Sequence, residues 1–170
     1  MNPIYLLSAI IFYSTILLTS TDNQFSWSKE RKLTWDDFKG KPDKLMQAAA
    51  LTYTDISVNG SLIDGKITME VKNFFDSKLS WSKNKNSASL LAHEQLHFDI
   101  TELYTRKIRK ELNAIASEKT IKDGTINKMS SKLLKEWKEF QLKYDNETNH
   151  GTIAEKQKEW EQRITLLLVE

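Results

Sequence analysis

Along residues 64–75, "DGKITMEVKNFF", apolar and polar side chains alternate: Ile67, Met69 and Val71 against Thr68, Glu70 and Lys72. A period of two predicts a half-buried antiparallel strand opening on Asp64-Gly65. Upstream, "AAALTYTDISVNG" (48–60) is rich in Thr, Tyr, Ile and Val and predicts a second strand that stops in a turn at Asn59-Gly60. A short edge strand is expected around Leu79–Trp81, and Leu33, Trp35 and Phe38 read as anchors pinning an N-terminal segment to the core. From Ser87 to about Glu118 the period changes. Leu96, Ile100, Leu103, Ile108, Leu112 and Ile115 follow helical spacing. Ser87 or Ser89 can cap that helix, and "IKDGT" (121–125) breaks it. A second helix starts near Thr125, carries Ile126, Met129, Leu133, Trp137 and Tyr144 on one stripe, and ends at Asn149-His150-Gly151, where glycine suits the position after a helix. A third carries Ile153, Gln157, Trp160, Ile164 and Leu167. The expectation is an α+β fold, a small antiparallel N-terminal sheet packed on three C-terminal helices.

Composition narrows what such a fold would do. The 170 residues include 25 basic and 23 acidic side chains, a formal charge of +2, which gives no reason to expect nucleic acid as a partner. There is no cysteine, so neither a disulfide framework nor a thiolate metal site is available. Residues 3–18, "PIYLLSAIIFYSTILL", are uncharged and shorter than the roughly 20 residues that span a bilayer. The small and polar Thr19-Ser20-Thr21 follows. This pattern reads as a signal peptide over residues 1–20, ahead of one domain over 21–170, although no Lys or Arg precedes the apolar run. A retained membrane anchor is the alternative. In both cases the domain is expected on the non-cytoplasmic side, secreted or periplasmic, with no stable membrane span once the signal is cleaved.

The first helix carries the chemistry. Residues 90–99 read "LLAHEQLHFD", and two of the three histidines in the chain lie here, in a His-Glu-x-x-His pattern. Residues four apart on a helix lie about 40° apart around its axis, so His93 and His97 can reach one ion without distorting the backbone. Glu94 is rotated by about 100° and reaches beside such an ion, where its carboxylate can take a proton from an activated water. Two neutral nitrogens and one carboxylate base are the groups that zinc hydrolysis needs. A catalytic zinc takes three protein ligands and leaves one position open. His150 is the expected third ligand, with carboxylates as alternatives: Glu147 first, since a Glu from a following helix can complete such a site, then Asp145, and after them Glu102. His150 can equally be read as a helix-end histidine that answers terminal carbonyls. Asp99 and Asp145 are candidates for orienting an imidazole, or ordinary surface charges. Tyr144 is a candidate oxyanion donor, or a core tyrosine. Trp81 either lines a substrate cleft or packs in the core.

Four stretches carry a resemblance that goes beyond the five-residue motif: "LTWDDFKG", "AAALTYTDI", "LLAHEQLHFDI" and "YDNETNHGTIAEKQKEW". Together they resemble a family of secreted bacterial domains of unknown function described as zinc-dependent proteases. The resemblance implies a zincin-like fold, a signal peptide, and a Tyr-Asp…Thr…His-Gly segment that works with the motif helix. Carried onto this chain, it points to His93, His97 and His150 as metal ligands, Glu94 as base, and Tyr144, Asp145 and Thr148 as supporting positions. The expected function is a zinc (Zn2+) metallohydrolase acting on a peptide or protein substrate. The alternative is a non-catalytic metal-binding or scaffold domain of the cell envelope.

Overall fold

Two long strands form the centre of the sheet. In a computed structural model, which describes residues 23–169, β3 (Thr54–Ile63) and β4 (Lys66–Asp76) pair antiparallel from Thr54↔Phe75 to Ile63↔Lys66. For this protein β1 is Gln24–Phe25 and β2 is Ala50–Leu51. The hairpin turns at Asp64-Gly65, both left-handed with φ of 49° and 73°. Two positive φ values match the type I′ turn, whose twist suits a two-residue hairpin. The turn expected at Asn59-Gly60 does not form, because Gly60 lies inside the ladder opposite Met69. Both dipeptides can make the same turn. The later one allows the longer ladder and sets Ile56 opposite Asn73 and Val58 opposite Val71, on the buried face of β4.

The expected strand over 48–60 is also two strands rather than one. β2 pairs with β5 (Trp81–Ser82), in the register Ala50↔Ser82 and Leu51↔Trp81, as a separate two-stranded sheet. Tyr53 marks the break, its N–H donating to Ser80 Oγ and its carbonyl accepting from the Asp76 N–H. The edge strand therefore sits slightly later than the sequence suggests, with Trp81 buried and Leu79 half exposed. β1 adds to the far edge of β4 through Phe25↔Phe75.

Met69, Val71, Asn73 and Phe75 of β4 are buried and turn toward α1 (Ala88–Ile115). Ser87 caps α1, its Oγ accepting from the Leu90 N–H at 3.1 Å. The helix stops at Ile115, earlier than its periodicity suggests. Ala116 is extended, and Ser117 with Thr120 forms a capping box that starts a separate short helix, α2 (Glu118–Lys122). The "IKDGT" stretch is thus partly helical, and the chain turns at Gly124, with φ 77°, into α3 (Thr125–Thr148). α4 (Ala154–Val169) completes the layer. One apolar core joins sheet and helices through Val71, Ile100, Ile108, Leu112, Leu133, Trp160 and Ile164. Each such aliphatic side chain contributes about 1.5–3 kcal/mol on burial. A second, aromatic cluster of Phe38, Phe75 and Phe98 with Leu33 fastens the N-terminal segment, as expected for Leu33 and Phe38, with Trp35 packed at its edge. The architecture is α+β. The expected leader, residues 1–20, lies outside the described residues.

Candidate metal centre

The centre is built where α1 and α3 run side by side. Asp145 of α3 lies opposite His93, and Gln141, one turn earlier, lies opposite His97. His93 Nε2 and His97 Nε2 are 3.2 Å apart, and each is 3.1 Å from Asp145 Oδ1. Hydrogen bonding on the far side of each ring fixes what these atoms are. Gln141 Nε2 donates to the His97 carbonyl at 2.9 Å, so its Oε1, 2.7 Å from His97 Nδ1, must accept a proton there. Gln157 Nε2 donates to Glu161 Oε1 at 2.9 Å, leaving its Oε1 to accept from the Tyr144 hydroxyl at 2.8 Å and His93 Nδ1–H at 3.2 Å. In its neutral form each imidazole therefore carries its proton on Nδ1 and turns a bare Nε2 lone pair toward the carboxylate.

Three acceptors facing one another at this range repel unless a cation lies among them. A proton is one such cation. Burial opposes charge on His97, but the hydrogen bond that its ring donates to Asp145, with the charges of Glu94 and Asp145, raises its pKa. Burial likewise opposes ionisation of Asp145, but the two imidazoles hold its carboxyl well below the usual carboxylate range. A tetrahedral zinc with ligands at about 2.0–2.2 Å separates their donor atoms by roughly 3.3–3.5 Å. The observed triangle lies a few tenths of an ångström below that, and its chemistry of two imidazole nitrogens and one carboxylate fits the ion.

The structure distributes the sequence-predicted residues unevenly. His93, His97 and Asp145 form the one metal-competent group among the described residues, their ligand atoms all within 4.8 Å. Glu94 is buried and lines the adjoining cleft, and its carboxylate has no hydrogen-bond partner among the described residues. His150 is not in the triangle. Its side chain is 72% exposed at the cleft mouth, with Nδ1 3.5 Å from Asp145 Oδ1. The corner expected for His150 is taken by Asp145, because the chain leaves α3 in a left-handed run, Asn149, His150 and Gly151 all at positive φ, which swings His150 outward. Glu147 accepts from the Trp160 indole and Glu102 from Asn73 and Arg106, so neither competes.

Tyr144 does not face the cleft. It is fully buried, stacks on His93 at 4.6 Å, and spends its hydroxyl on Gln157 and the His93 carbonyl. Burial, with Glu94 and Asp145 nearby, raises its pKa despite the Gln157 contact, so it stays a phenol. That makes it a support for His93 rather than an oxyanion donor. Asp99 accepts from Trp27 and Gln95 and pins the N-terminal segment instead of orienting an imidazole. Thr148 Oγ1 accepts from the Gly151 N–H and shapes the turn. Trp81 is core.

Sequence reasoning gave Gln141 and Gln157 no role at the site. The available signal was a polar residue on each apolar helix stripe: Gln157 among Ile153, Trp160 and Ile164, and Gln141 between Trp137 and Tyr144. The cleft beside the centre measures ≈ 900 Å³. Its walls are α1, α3, the α3–α4 turn and the rim 47–52, which Thr52 ties to α1 by donating to the Glu94 carbonyl.

Fold and centre together define a metal-competent α+β domain with His-Glu-x-x-His on its longest helix. The chain belongs to the family described as "Bacterial protein of unknown function (DUF922)", whose sequence model matches residues 47–151. That span includes the rim, the motif helix and the turn that carries His150. It agrees with the zinc-protease-like bacterial family that the motifs resemble. No curated protein and no solved structure matches the chain.

Proposed function

We propose that the protein is a zinc-dependent metallohydrolase acting on peptides, with His93, His97 and Asp145 as ligands and Glu94 as general base. The observation that carries this reading is the convergence of three lone-pair atoms beside an unpaired carboxylate at the base of a cleft. Zinc, when bound, would polarise a carbonyl and make water nucleophilic near neutral pH. Glu94 is positioned to accept the proton of the attacking water on a carboxylate oxygen and return it to the leaving amine. Gln141 and Gln157 would hold the neutral imidazoles in the tautomer that leaves Nε2 as the donor atom, and Tyr144 stacks on the His93 ring.

His150 stands outside the ligand set in this proposal, which leaves one coordination position for water and substrate. A second reading, a non-catalytic metal-binding or scaffold domain, draws on the 3.5 Å approach of His150 to Asp145, because a swing of that ring would close the coordination. The two readings part on His150→Ala. Full metal content in that variant supports an open, catalytic site, and loss of metal supports a closed one. For the hydrolase itself, Glu94→Gln is expected to retain the metal and lose hydrolysis of a mixed peptide library; hydrolysis that survives removes Glu94 from its role. We place the domain outside the cytoplasm on the strength of the apolar, uncharged residues 3–18. Among the described residues no helix is long and apolar enough to cross a membrane.

A further inference from the structure

One end of the cleft carries a cation that nothing answers. The lysines of α3 mostly have a glutamate four residues on: Lys132 with Glu136, Lys135 with Glu139, Lys143 with Glu147. Lys138 breaks the pattern. Leu142 stands at its i+4 position and Leu134 at i−4, and Lys138 makes no ion pair among the described residues. It is also the one Lys or Arg lining the cleft, where the other charged walls are Glu94 and Asp145 beside the histidines. The neighbouring Trp137 lines the same end, and its indole N–H is buried with no acceptor among the described residues.

Helix geometry sets the spacing. Lys138 and Asp145 are seven residues apart, which places them about 20° apart around α3 and about 10 Å apart along it. A lysine stem leans toward the helix N-terminus, which carries the ammonium somewhat further from the metal centre. An extended peptide advances about 3.3 Å per residue, so three to four residues bridge the two points.

We propose that Lys138 is a specificity-determining residue that binds a peptide carboxylate three to four residues from the bond positioned at the metal centre. The exposed Leu142 between them would meet an intervening apolar side chain. The proposal rests on the hydrolase reading of the same cleft. A C-terminal carboxylate and an Asp or Glu side chain present the same group, and the assay separates them.

The test uses heptapeptides of one sequence in three forms: free acid, C-terminal amide, and amide with a Glu or Gln at successive internal positions. Cleavage sites are read by mass spectrometry and binding by calorimetry, for wild type and for Lys138→Met, which keeps the aliphatic stem. Wild type is expected to prefer a peptide with a carboxylate at the stated spacing by about tenfold in kcat/KM, mainly through KM, and the ratio falls to about one in Lys138→Met. Preference for the free acid over its amide identifies the C-terminus as the source; preference for Glu over Gln at one internal position identifies a side chain. Equal treatment of all forms by wild type, or an unchanged preference in Lys138→Met, overturns the proposal while leaving the hydrolase intact. Binding discrimination that depends on Lys138 without any cleavage keeps the carboxylate site and removes the hydrolase. Neither binding nor cleavage removes both.

Discussion

Gly151 touches the centre without contributing a single polar atom to it. A Cβ at this position would stand 2.8 Å from His93 Cγ and 2.9 Å from His93 Cβ, and the residue holds φ of 77°. Only glycine satisfies both demands, so Gly151→Ala is expected to cost about 1–3 kcal/mol of stability and to weaken metal binding by displacing the His93 ring. Thermal unfolding and chelator competition measure the two effects; wild-type values for both would mean the turn does not press on His93. Gln141 and Gln157 act on the same rings through hydrogen bonds. Replacing either by Leu frees an imidazole to change tautomer, and a loss of about 10–100-fold in metal affinity is expected. At this scale the sequence was legible where chemistry follows chain spacing, as with His93, Glu94 and His97. It was not legible for the third corner, because Asp145 and His150 are distinguished only by the left-handed exit from α3, a backbone feature that no spacing rule carries.

The metal-free centre also has a pH signature. His97 is raised, so its ion pair with Asp145 stabilises the fold fully below the ordinary histidine pKa, and this is lost as pH rises through the raised value. Asp145 is lowered, so its contribution is present above the ordinary carboxylate pKa and disappears as pH falls through the lowered value. Zinc binding as proposed would run opposite to the histidine effect, because zinc and the proton would compete for the same Nε2. Zinc affinity is therefore expected to fall steadily from pH 8 to pH 5.5, measured by competition with a chelator of known proton affinity. A flat profile would mean that the histidines are not ligands.

Among the elements, the hairpin offers the sharpest contrast. Asn59-Gly60 and Asp64-Gly65 are equivalent as dipeptide signals, and only ladder length and register choose between them. Gly65 holds φ of 73°, whereas a Cβ on Gly60 would meet Met69 at an ordinary 3.7 Å. Gly65→Ala is expected to cost about 1–2 kcal/mol, and Gly60→Ala close to nothing or a slight gain. Denaturant midpoints of the two variants decide the matter, and the reverse order would move the turn. The helices were easier to read, since each presents one apolar stripe over many turns. The early stop of α1 escaped the pattern because the Ser117–Thr120 capping box that breaks the backbone is built of polar residues and leaves no mark on the apolar period. β2 and β5, two residues each, are too short to have a period. They exist because Tyr53 and Ser80 bring their ends together.

For the whole molecule, two layers leave the sheet on one side and put the chemistry between α1 and α3, roofed by the rim 47–52. The end of α3 and the start of α4 converge on His93 through Gly151 and Gln157, so a metal held by His93 would be coupled to the packing of three helices. Bound zinc should therefore stabilise the entire fold, by an amount that grows with free zinc as RT ln(1 + [Zn]/Kd). An α+β class with three late helices was legible in the sequence because class follows from the order of periods along the chain. The cleft was not, since its walls come from three separate stretches of chain, within 47–54, 90–97 and 137–152.

The most direct test is the metal content of protein purified without chelator, in wild type and in Asp145→Ala, His150→Ala and Glu94→Gln. One zinc per chain is expected in wild type, His150→Ala and Glu94→Gln, with loss in Asp145→Ala. Wild type without stoichiometric metal, or metal lost with His150→Ala and kept with Asp145→Ala, would contradict the centre described for His93, His97 and Asp145.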